Sequence, residues 1–89
     1  MELISQAVQN NSTITVLHLS GNNIGDKGGI SIAHLLQINT TLKKLYLSRN
    51  RIGNEAAHAI SQSLQFNNTL NTLFLLYNPI EDEGFQPIL

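Results

Sequence analysis

The sequence predicts an α/β solenoid, with an inner parallel sheet of short strands and an outer layer of helices. Three observations predict it. One pattern, apolar-x-x-Leu-x-Leu-x-x-Asn-x-Ile, occurs at residues 14–24, 42–52 and 70–80, a constant spacing of 28. A fixed period of this size marks stacked structural units. Within each copy two leucines alternate with other residues, as in Leu17-His18-Leu19 and Leu45-Tyr46-Leu47. That alternation puts the leucines on one face of a strand and the intervening residues on the other. Between the copies, apolar residues recur every four positions, as at Ile32/Leu36 and Ile60/Leu64. Such spacing makes one buried stripe along a helix.

Taken in order, residues 1–10 align with the helical half of the later copies. Ile4 falls on Ile32, Ile60 and Ile88, and Val8 on Leu36 and Leu64. Met1 aligns with Gly29, so this helix lacks its start signal and a strand before it. The chain is therefore expected to be a fragment of a longer array: a partial repeat at 1–13, repeats at 14–41 and 42–69, and a partial repeat at 70–89. The turns Asn10-Asn11-Ser12-Thr13, Ile38-Asn39-Thr40-Thr41 and Phe66-Asn67-Asn68-Thr69 connect helix to strand. Asn tolerates left-handed backbone at a helix end, and Ser or Thr hydroxyls bond nearby backbone.

Strands are expected over Val16–Leu19, Lys44–Leu47 and Thr72–Leu75. Each connection contains a helix, so the sheet is parallel with right-handed crossovers. Asp26, Asn54 and Asp82 are good N-caps, giving helices over 26–37, 54–65 and from Asp82 onward. Gly28, Ala56 and Gly84 form a column of small residues that lets helix and sheet approach closely. The two complete helices end near an Asn, as expected of a C-cap. Pro79 lies outside its strand, where a missing donor costs little, and Pro87 kinks or shortens the last helix.

The repeated pattern resembles the leucine-rich repeat. Its length of 28 is similar to that of the ribonuclease-inhibitor subtype, which implies a full helix per repeat and a curved horseshoe. The resemblance also implies that Asn22, Asn50 and Asn78 point inward and bond the loop and its neighbour. An Asn has both the donors and the acceptors for that task. The segments 22–28 and 50–56 resemble repeats of NOD-like receptors and of Ran GTPase-activating proteins. The third copy departs from the others at Pro79 and at Glu81, where they carry Gly.

Composition bounds the function. The chain has 89 residues, a formal net charge of −1 and no cysteine. No disulfide can staple it, which fits a reducing compartment. The balanced charge gives no global bias toward nucleic acid. There is no apolar run of membrane-spanning length and no basic-then-apolar leader, so the expectation is a cytoplasmic location without membrane attachment.

No catalytic constellation stands out, so the chain is not expected to be an enzyme, and no cofactor or metal is implied. His34 and His58 are expected on the solvent side of their helices, without partners at ligand spacing. Asn-x-Ser/Thr occurs at Asn10, Asn11, Asn39 and Asn67. It recurs there because the turn itself repeats, so glycosylation is not the preferred reading. Glu81-Asp82-Glu83 suits a helix N-terminus, where the macrodipole favours acids. Lys43, Lys44, Arg49 and Arg51 are four of the five basic residues. They spread over different faces, which argues against one nucleic-acid patch.

The strongest functional signal is the non-leucine face of the strands. Its positions are Val16, His18 and Ser20, then Lys44, Tyr46 and Ser48, then Thr72, Phe74 and Leu76. Parallel strands lie about 4.8 Å apart, so His18, Tyr46 and Phe74 form an aromatic column flanked by Arg49 and Tyr77. Aromatics and Arg are enriched at binding hot spots. The candidate partner-binding residues are therefore His18, Lys44, Tyr46, Arg49, Phe74, Leu76 and Tyr77, and the partner is a protein. Two alternatives follow from the resemblance: part of a Ran-type GTPase activator, or the ligand-sensing and autoinhibitory repeats of a NOD-like receptor. Open solenoid ends also suggest self-association.

Overall fold

The structure, a computed structural model, describes residue 11 and residues 13–80. Element order is β1 (Val16–His18), α1 (Gly25–Ile38), β2 (Lys44–Tyr46), α2 (Asn54–Leu64) and β3 (Thr72–Phe74). The strands make one parallel sheet in the order β1-β2-β3. Register follows the repeat: Leu17 pairs with Leu45 and Leu45 with Leu73, while His18 pairs with Tyr46 and Tyr46 with Phe74. The α/β solenoid read from the sequence is the fold. The helix of residues 1–10 and everything expected from Glu81 onward, including the Asp82 cap and the Pro87 kink, lie outside the described residues.

Each strand is one residue shorter than expected, yet the ladder does not stop there. Leu19 N–H donates to Tyr46 O at 2.9 Å and Gly21 N–H to Ser48 O at 2.9 Å. One copy later, Leu47 N–H donates to Phe74 O at 2.8 Å and Arg49 N–H to Leu76 O at 2.9 Å. The backbone turns out of strand geometry while still pairing with its neighbour.

The core lies between sheet and helices. Leu45 and Leu47 from the second copy meet Ile32, Leu35 and Leu36 of α1 and Ile60 of α2, all essentially inaccessible to water. Burying each such side chain is worth about 1.5–3 kcal/mol. The helices also pack on one another. A Cβ added to Gly29 would lie 2.6 Å from the Ala56 Cβ, so glycine permits this approach. This close approach is helix to helix, and it occurs at Gly29, one residue after the Gly28 column.

Two local expectations are corrected. Asp26 lies inside the first turn of α1 and does not cap it; Ile24 occupies the cap position, with no side-chain cap bond. Instead the Asp26 carboxylate accepts Gly53 N–H at 2.8 Å and Ala56 N–H at 3.2 Å. It caps α2, the helix of the next copy, whose own cap position holds Gly53 while Asn54 begins the helix. Asn39 follows α1 with extended backbone, φ −73° and ψ 132°, not left-handed. Its side chain does the work: Oδ1 accepts Thr41 N–H at 2.9 Å and Leu42 N–H at 2.7 Å, and Nδ2 donates to Asn11 O at 3.2 Å. Asn67 repeats this, with Thr69 and Leu70 as donors and Leu36 O and Asn39 O as acceptors.

Candidate partner-binding face

The outward face of the sheet is set by strand parity. Leu17, Leu45 and Leu73 turn toward the helices, so His18, Tyr46 and Phe74 turn away from them. The parallel register then brings the three rings together. His18 stacks on Tyr46 with centroids 4.6 Å apart, and Tyr46 on Phe74 at 5.0 Å, both pairs within 14° of parallel. Lys44 stands two residues before Tyr46 on the same strand face and is exposed.

Just past the strands, Gly21, Arg49 and Tyr77 occupy one column and share left-handed backbone, with φ of 76°, 59° and 60°. Glycine adopts this freely, while other residues carry a steric cost of roughly 1–2 kcal/mol. The second and third copies place Arg and Tyr there nonetheless. The consequence is contact between them: the Arg49 guanidinium lies over the Tyr77 ring, 4.9 Å from its centroid. Leu76 and Tyr77 are 63% and 77% exposed.

Beneath this rim an asparagine ladder fixes the loops. Asn50 is fully buried, and its Nδ2 donates to Leu19 O and Leu47 O, both at 2.9 Å. Its Oδ1 accepts Asn22 N–H at 2.8 Å. Asn78 does the same one copy later, accepting Asn50 N–H and Ile52 N–H at 2.9 Å and donating to Leu47 O and Leu75 O at 3.0 Å. The loop-bonding role implied for these residues is their role here, with Asn50 fully inward, Asn78 half-buried and Asn22 exposed while donating to Leu19 O at 2.7 Å.

The structure therefore gathers the candidates into one surface: His18, Tyr46 and Phe74 as a column, Lys44 beside it, and Arg49, Leu76 and Tyr77 along the rim. Lys43 and Arg51 are exposed but stand off the column, before and after the strand. His34 and His58 are exposed on their helices. Among the described residues no three His, Cys, Asp or Glu side chains group as metal ligands would. No described helix is long and apolar enough to cross a membrane. Asn39 is 3% exposed and its Nδ2, the atom a glycan would need, is engaged in the turn.

One feature escaped the sequence reading. Ile38 and Phe66 share a column at the helix ends and are 49% and 75% exposed. The spacing of 28 is their signal in the sequence, at positions that otherwise read as part of a polar turn. Beside β3, Leu64, Leu73, Leu75 and Ile80 line an apolar groove.

Comparisons place this geometry among known proteins. No curated protein matches the chain. Among solved structures it is similar to Leiomodin-1 Actin-Binding Site 2, with a TM-score of 0.89, 26% sequence identity and coverage of 98% of this chain. It spans about half, 51%, of the length of that chain. The family description Leucine Rich repeat matches at residues 10–33, 39–61 and 66–89. Those segments make up most of the sequence, and the chain belongs to the leucine-rich repeat family.

Proposed function

We propose that this chain is a protein-recognition module that holds its partner across the outward strand face. The observation that carries the reading is the stacked column His18–Tyr46–Phe74 beside exposed Leu76 and Tyr77. Aromatic side chains in a continuous exposed surface are the usual anchors of a protein interface. In this reading Lys44 and Arg49 orient the partner, the repeats are of the ribonuclease-inhibitor-like subtype, and the protein works in the cytoplasm without cofactor or catalysis. Copies of the chain associate through β3, which pairs only with β2 among the described residues.

The test is capture of peptides from a random displayed library on the chain and on a Tyr46→Ala/Phe74→Ala variant. Loss of the stacked pairs costs about 0.5–1.5 kcal/mol each, less than loss of a core leucine, so Tyr46→Ala alone keeps the fold while weakening capture. Peptides held equally by both proteins would place the binding surface elsewhere.

A second reading, actin as the partner, is favoured by likeness to a structure whose name is an actin-binding site. Co-sedimentation with actin filaments tests it. Pelleting of the chain that Tyr46→Ala/Phe74→Ala abolishes supports both actin and this face. Pelleting that survives the change supports actin through another surface.

A further inference from the structure

We infer that the strand face is built for an acidic segment of its partner protein. The inference rests on the binding reading above and adds the chemistry of what is bound.

The rings carry the argument. His18, Tyr46 and Phe74 are near-parallel and stacked along the direction in which the strands pair. Their faces are spent on one another, apart from the outer faces of the two end rings. What the column presents to solvent is a strip of ring edges. An aromatic ring is negative on its face and positive around its edge. Along that strip Phe74 shows a C–H edge of partial positive charge, and Tyr46 and His18 bring an O–H and a ring N–H that can donate to an anion.

Full charges of the same sign stand on both sides of the strip. Lys44 is exposed on the face of the same strand as Tyr46. Arg49 lies over the Tyr77 ring, which holds its guanidinium at the rim with donors available to a carboxylate. Among the described residues the acids are elsewhere: Asp26 and Glu55 both belong to first turns of helices. Asp26 is further occupied by the backbone of Gly53 and Ala56. The charges that the described residues place on this face are thus cationic, although the chain as a whole has a net charge of −1.

The same geometry selects among anions. Single-stranded nucleic acid is held by bases stacking on open ring faces, and here the middle ring has none to offer. Carboxylates need only edges and fixed cations. Leu76 and Tyr77 add exposed apolar surface next to Arg49. The occupant that fits is a segment with Asp or Glu side chains over the column and an apolar residue toward Leu76.

Enriched peptides from the random displayed library supply the test. On the intact chain we expect a pool with excess Asp and Glu, and for a synthetic member of it binding roughly tenfold weaker to a Lys44→Glu/Arg49→Glu variant, in line with the loss of electrostatic complementarity. Both residues are exposed, and circular dichroism checks that the variant is folded. The same peptide with Asn and Gln in place of Asp and Glu is expected to bind as weakly. Peptides that depend on Tyr46 and Phe74 but show no acidic excess, or that bind equally well when neutralised, would overturn the acidic reading and leave the face intact. Tighter binding of an oligo-deoxythymidine than of any peptide would overturn it in favour of nucleic acid. A library from which nothing enriches over the Tyr46→Ala/Phe74→Ala variant would remove the face itself, and this inference with it.

Discussion

Leu47 and Leu75 hold the same place in successive copies, and their surroundings differ. Leu47 is fully buried; Leu75 is only half-buried. Leu45 and Leu73 show the same contrast. The residues and the backbone are equivalent, so the difference comes from the neighbours. β2 has a strand on either side, whereas β3 pairs only with β2 among the described residues. A leucine in a stacked array becomes core through the units beside it, and stability resides largely at the interfaces between units.

That contrast can be broken or sharpened by substitution. Leu47→Ala should cost about 2–5 kcal/mol, as deletion of a fully buried leucine does. Leu75→Ala should cost about 1–2 kcal/mol, because part of its surface already meets water. Urea unfolding of both variants measures the gap, and equal losses would mean that the third copy is as well packed as the second.

The asparagines extend the comparison to polar groups. Asn50→Ala removes a fully buried side chain and leaves the carbonyls of Leu19 and Leu47 and the N–H of Asn22 without it, an expected loss of about 2–3 kcal/mol. Asn22→Ala, at an exposed site, should cost about 1 kcal/mol or less. Midpoints of unfolding that shift by the same amount would show that ladder position, not burial, sets the loss.

Asp26→Ala tests where a helix gets its cap. We expect a loss of about 1 kcal/mol, with faster amide exchange at Gly53 and Ala56 and little change in the first turn of α1. Faster exchange confined to α1 would return the cap to its own helix.

The smallest effect on stability belongs to Leu76→Lys, within about 0.5 kcal/mol for an exposed position. Its effect on association should be larger. If copies associate through β3 as proposed, exposed Phe74, Leu76 and Tyr77 would lie at the contact. Light scattering after size exclusion should show concentration-dependent dimers of the native chain and a monomeric variant. A native chain that stays monomeric at high micromolar concentration rules this out.

Much of this was legible because the repeat does two jobs at once. A spacing of 28 places His18, Tyr46 and Phe74 in one column, and the leucines between them fix which way the column faces. The contact of Arg49 with Tyr77 was half legible: the residues were seen as flanking the rings, but the left-handed backbone that joins them carries no signal in Arg or Tyr. The Asp26 cap was misassigned for a related reason. Capping rules look three residues ahead, whereas the donors here lie 27 and 30 residues away. In a stacked array the partner one unit along competes with the local one, and a local rule cannot see it.

The asparagine ladder has a consequence for how such a chain folds. Its bonds between copies join residues 26 to 31 positions apart, and the turn ladder at Asn39 and Asn67 works over the same range. Every one of these bonds closes a loop of nearly the same length. Loop-closure entropy grows with the logarithm of that length, so each new unit docks against the same entropic barrier as the one before it. Lengthening the array adds closures without making any of them longer. Relative contact order falls as units are added, and the search for native contacts stays local however long the array becomes.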